Sequence, residues 1–269
     1  MTNEVYGIDY LRRRLADKQT RVLLRYKYYE MKNNAQDFSS LAPEKFKGLK
    51  ETVGWCAKAV DSLADRLQFD EFQNDEFDLS EIFLSNNQDI LIDSAVLSAL
   101  ISACSFVYIR EDNGYPRLQV IDGSNATGII DPVTNLLTEG YAVLERDSMG
   151  VVKTEAYFMA GMTEIYSHGV LVQRIPSSAP YALLVPIIYR PDAKRPFGHS
   201  RISRACIAYT QTALRTIKRS EVSAEFYSFP QKYVLGLSED AEFNNRLAAI
   251  SSFLNFTKDG DGDHPIVGQ

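Results

Sequence analysis

The chain has 269 residues, 45% of them hydrophobic and 24% charged, with 15 Tyr and 14 Phe, so it carries the apolar mass of a folded body and not the composition of a disordered tail. Its formal net charge of −6 excludes a protein that coats nucleic acid through a broad positive surface, because such binding depends on Lys and Arg displacing phosphate counterions. No stretch approaches the ~20 apolar residues of a membrane span, and the first fifteen residues lack a signal-peptide core, so a cytosolic start is expected.

From Ile8 to about Met31, apolar residues fall at helical spacing and Arg12, Arg13, Arg14, Asp17 and Lys18 fill the gaps, which predicts an amphipathic helix. A polar stretch and Pro43 end it, and Phe46, Leu49, Val53, Cys56, Val60 and Leu63 predict a second helix. The acidic segment Asp70 to Glu81 suits a solvated connector or a helix start. A third helix, roughly Gln88 to Ser105, is apolar on nearly all sides and is expected to be buried.

Beyond Phe106 the period changes to that of strands, with short runs FVYIRED, RLQVID, TGIID, GYAVLER and EAYFMA. The turns are NGYP, Asp131-Pro132 and Asp147 to Gly150, and the whole predicts an antiparallel sheet. The helical period returns from Ser200 to about Tyr227, and Pro230 stops it. At about 100° per residue, Ile202, Cys206, Tyr209, Ala213, Ile217 and Ser220 share one side of this helix. Arg204, Arg215 and Lys218, with Arg201 and Arg219 more loosely, gather opposite. That basic row could meet DNA or a neighbouring copy, or be an ordinary solvated face. The expected class is therefore α+β.

Catalytic signatures are missing: there is no phosphate-cradling loop, nucleophile elbow or zinc-protease helix. Cys56, Cys104 and Cys206 are scattered and read as reduced packing residues. His168, His199 and His264 each stand alone, which suits surface turns. Asp259, Asp261 and Asp263 alternate like the start of a calcium loop, but His264 occupies the position where that loop needs glycine, so a solvated turn is the better reading. No catalytic residue, metal or cofactor is expected.

Two longer blocks carry more information. The first is WCAKAVDSLADRL, Trp55 to Leu67, followed by Phe69 and Phe72. The second runs from Ser200-Arg201-Ile202-Ser203-Arg204 through Ala213-Leu214-Arg215-Thr216 and Arg219 to Tyr227, then Pro230-Gln231-Lys232-Tyr233-Val234-Leu235-Gly236. Both resemble signatures of the portal proteins of long-tailed bacteriophages, as do Tyr28-Tyr29-Glu30 and the approach Val185-Pro186 to Gly198. Met31 stands where that family usually has glycine.

The resemblance implies a wing-like domain over residues 1–198, a stem helix over 199–228 and a partial clip over 229–269. It implies a ring, typically of twelve copies, at one capsid vertex of the virion, assembled in the host bacterial cytoplasm. Double-stranded DNA would pass through the ring without sequence preference. The expected partners are further copies of the chain, the terminase large subunit, capsid and scaffold proteins, and a head-tail adaptor, with no membrane. Arg201, Arg204, Arg215, Lys218 and Arg219 become candidates for channel or intersubunit contacts, and Gln231, Lys232 and Tyr233 for partner contacts on the clip. Family members continue into a returning stem helix, a tunnel loop and a crown, so the expectation is a truncated product. The competing reading is a remnant that binds only capsid or scaffold partners; a nuclease built on the acidic clusters ranks behind both.

Overall fold

The computed structural model describes residues 5–32, 51–73, 75, 77–228, 232–237 and 253–257. Among them are five helices, two antiparallel sheets and one parallel strand pair, a mixed α and β fold. Backbone proximity divides the chain into two compact units, Met1–Asn34 with Thr52–Gln211, and Ala35–Glu51 with Thr212–Gln269.

In the first unit, helix α1 (Ile8–Tyr29) buries Leu11, Leu15, Val22 and Tyr28, the stripe its spacing predicts apart from the last residue. Helix α2 (Trp55–Ala64) starts later than the periodicity suggests: residues 51–53 are not helical, and Gly54, a poor helix former, stands at its N-terminus. Phe46 and Leu49 lie outside the described residues. In the acidic segment, the Asp75 carboxylate accepts the backbone N–H groups of Leu79 and Ser80, both at 2.7 Å. That caps helix α3 (Leu79–Ser85), so the segment is a connector whose end starts a helix. Helix α4 (Gln88–Ser102) is almost wholly buried in its second half.

The strands form two sheets where the sequence suggested one. Strands β1 (Cys104–Asp112) and β2 (Tyr115–Ile121) make a hairpin about Asn113-Gly114, whose positive φ values of 54° and 78° suit a two-residue turn. After β2, Asp122 accepts the Ser124 N–H at 2.6 Å and the Asn125 amide at 2.7 Å. Beyond this turn the chain enters a second sheet, the meander β3 (Ala126–Ile130), β4 (Leu137–Arg146), β5 (Val152–Met159), β6 (Met162–Ser167) and β7 (Val170–Pro176). Strand β8 (Leu184–Ile188) returns to pair with β1. Alternation along a strand reports its faces, not its neighbours, so the split was not readable from the pattern.

Strand β4 is buried on both faces. Leu137 and Ala142 join Phe106, Phe158 and Leu184 in one core cluster, while Tyr141 and Val143 join Leu11 and Leu15 of α1 in another. Gly140 permits this closeness, since a Cβ there would stand 3.0 Å from Leu184 Cδ2. A third cluster gathers Tyr28, Cys56, Val60, Leu100, Ile101 and Ile202.

Helix α5 (Arg204–Ser228) begins four residues after the predicted start. Ser200 Oγ donates to Ile101 O at 2.6 Å and accepts the Ile202 N–H at 3.0 Å, while Ser203 Oγ accepts the Cys206 N–H at 3.1 Å. These bonds hold residues 200–203 as a capped turn. The helix passes from the first unit into the second, which also contains β9 (Lys232–Leu237) and β10 (Phe253–Thr257), paired in parallel with Phe253 opposite Lys232.

Candidate functional site

The predicted basic row of α5 divides on the structure. Arg204, Arg215 and Arg219 are exposed and lie within about 60° of one another at 100° per residue. Arg201, in the capping turn, is also exposed; its Nε donates to Ala59 O at 3.0 Å. Lys218 is only 2% exposed and belongs to the buried side with Cys206, Ile207, Thr210 and Leu214. The expected packing face is therefore rotated by about 90°: Tyr209 is 69% exposed and Ile217 39%. The error has a plain cause. Residue type placed Tyr209 inside and Lys218 outside, whereas the fold covers two polar side chains, Thr210 and Lys218, and leaves the aromatic ring in solvent. Gln231 lies outside the described residues. Lys232 and Tyr233 open β9, and the backbone alone is described for them.

A second basic constellation was not anticipated. Arg14, Lys18, Arg21 and Arg25 recur at i, i+4, i+7 and i+11, one stripe of α1. With Arg195 and Arg204 they line a partly open cavity of about 790 Å3 in the first unit. Lys18 Nζ donates to Ala126 O at 2.6 Å and lies 5.8 Å from the Phe197 ring centre; the Arg14 guanidinium lies 5.5 Å from the same centre. Burial holds the Lys18 ammonium below its ordinary pKa, and neighbouring Arg14 and Arg21 push in the same direction. Arg25, which donates to Ser102 O at 2.9 Å, is lowered likewise by burial and then by Arg21.

The far wall is Arg195 to His199, the end of the loop 189–199. His199 Nε2 meets Asp192 Oδ2 at 2.5 Å, and Arg195 Nη1 lies 3.3 Å from His199 Nδ1. The bond from His199 holds the Asp192 carboxyl below the usual range, helped by the backbone N–H of Arg195. Gly198 adopts φ 72°, and a Cβ there would fall 2.2 Å from Tyr189 O, so the loop needs glycine at this point.

Two buried carboxylates fix α1 to the second sheet. Glu155 accepts hydrogen bonds from the Arg12 guanidinium and the Tyr141 hydroxyl. Glu139 accepts the backbone N–H groups of Tyr6 at 2.8 Å and Gly7 at 2.9 Å, and the Tyr157 hydroxyl at 2.5 Å. Burial, reinforced by these acids, raises the pKa of Tyr141 and Tyr157 well above the ordinary phenol. The acids hold structure in place, and neither lines the cavity between α1 and the loop 189–199.

The cysteines are also placed unexpectedly. Cys56 and Cys206, 150 residues apart in sequence, bring their Sγ atoms to 3.3 Å, although both thiols are free. Among the described residues no group of three His, Cys, Asp or Glu side chains could hold a metal ion, and no helix is long and apolar enough to cross a membrane. In comparisons with known proteins, neither a family model nor a curated protein matches the chain.

Proposed function

We propose that this chain is a subunit of a portal-type ring that conducts double-stranded DNA through a phage capsid vertex and performs no chemistry of its own. The observation that carries the reading is the basic row of α5, where Arg204, Arg215 and Arg219 are exposed on one side of a 25-residue helix. An exposed row of arginines has the residue type that partner interfaces favour over lysine. Its cations also suit weak, sequence-blind phosphate contacts.

A ring of identical copies needs two different surfaces on each one, because its contacts are heterologous. Strand β7 supplies a second: it is an edge of its sheet, and Val170 and Val172 on it are both about two-thirds exposed. In this reading residues 1–198 are the wing, 199–228 the stem and 229–269 the beginning of the clip, where Lys232 and Tyr233 meet the packaging motor and later the head-tail adaptor. An acidic body with sparse arginines lets a polyanion slide where a basic bore would trap it.

The test is the mass of the purified protein in solution, with and without charge reversal on α5. A multimer that Arg215→Glu combined with Arg219→Glu converts to folded single chains supports the reading. A monomer at all concentrations contradicts it.

A further inference from the structure

We propose that the cavity between α1 and the loop 189–199 is a binding site for a small, multiply charged phosphate compound, such as pyrophosphate or a nucleotide. Six basic residues, Arg14, Lys18, Arg21, Arg25, Arg195 and Arg204, converge on it, and Asp17 is the one acid in its wall. Among the described residues none of the six forms an ion pair with a carboxylate. This is unexpected in a chain with 35 acidic and 29 basic side chains, where a cluster of cations has ample choice of partners. Holding like charges together without a counter-charge costs folding free energy; burial chiefly, and the neighbouring arginines in lesser part, lower the affinity of Lys18 and Arg25 for their protons. An anion with several negative oxygens removes the cost by accepting charge-assisted hydrogen bonds from both walls.

The size and form of the cavity select the ligand. Its volume of about 790 Å3 lies within the range of small-molecule sites, about 300–1,000 Å3. A duplex carries its phosphates on a convex surface, which a concave recess cannot follow. Arginine on both walls suits phosphate oxygens, whose geometry matches the guanidinium fork. The wall is also braced: Gly198 and the Asp192–His199 contact set the loop, and Arg14 and Lys18 rest over Phe197.

The experiment is calorimetric titration of the whole chain with sodium pyrophosphate at fixed ionic strength, repeated with ATP, with sulfate and with a short DNA duplex. The proposal predicts saturable binding of one pyrophosphate per chain. Arg21→Glu combined with Arg195→Glu, both exposed side chains, weakens it at least about tenfold, close to the loss of one charge-assisted hydrogen bond. Arg204→Gln, on another element, shifts affinity in the same direction. Arg66→Glu, exposed and outside the cavity lining, changes nothing. No saturable binding, equal weakening by Arg66→Glu, sulfate binding as tight as pyrophosphate, or displacement of pyrophosphate by the duplex would each overturn it. Binding is read on the single chain, so its failure leaves the ring reading standing, and failure of the ring leaves this site standing.

Discussion

Arg12 on α1 and Glu155 on β5, 143 positions apart in sequence, form an ion pair whose carboxylate is only 5% exposed. The Tyr141 hydroxyl donates to the same carboxylate, so one side chain fastens helix to sheet. Removing a single member of a buried pair leaves the other charge uncompensated, at a cost of about 3–5 kcal/mol, less where one partner is partly solvated, as Arg12 is here. Glu155→Ala is therefore expected to lower the denaturant-unfolding free energy by about 3 kcal/mol. Arg12→Met with Glu155→Leu should recover most of that loss.

Lys218 and its basic neighbours make opposite predictions. Lys218→Ala empties a buried position and should destabilise by about 1–3 kcal/mol, whereas Arg215→Ala and Arg219→Ala on the exposed face should stay within about 0.5 kcal/mol of the parent. Thermal unfolding of the three variants checks the assignment of faces on α5.

Cys56 and Cys206 give a covalent readout of the α2–α5 junction. Treatment with diamide, which accepts the two electrons and two protons released by a pair of thiols, should join them as a disulfide, since their sulfurs stand 3.3 Å apart. Non-reducing peptide mapping should find this bond and leave the buried Cys104 free.

Burial pushes the Cys56 thiol up to about 11 from its ordinary 9.0. The folded chain thus holds this proton more tightly than the unfolded chain does. Its contribution is complete below pH 9 and is lost as pH rises to about 11. Stability measured across that window should fall less steeply in Cys56→Ala than in the parent.

Gly198→Ala tests the cavity wall. The added Cβ would meet Tyr189 O at 2.2 Å in a backbone region that side chains avoid, so the loop must shift. A loss of about 2 kcal/mol or more is expected, together with weaker pyrophosphate binding. Unchanged melting would show that the loop is free to relax.

The elements were legible in the sequence to the extent that they depend on local pattern. The apolar spacing of α1 predicted the burial of Leu11, Leu15 and Val22, and the Asn113-Gly114 turn its hairpin, whereas Asp75 caps the following helix from three residues before the usual position, Asp78. What pairs across distance was not legible. Nothing near Cys56 announces Cys206, and nothing in Glu139 or Glu155 distinguishes them from solvated acids until β4 and β5 turn them toward α1. The α5 face was misassigned because residue type stood in for contact. The α1 stripe from Arg14 to Arg25 was readable by spacing, but only the loop carrying Arg195 and the start of α5 turn that stripe into a cavity.

The central claim is that copies of this chain join side to side around an axis and leave an opening. Negative-stain electron microscopy of the purified protein, viewed down the assembly axis, tests it most directly. The account predicts closed rings with a central hole wide enough for a DNA duplex; a field of single compact particles, or closed assemblies without a hole, would contradict it.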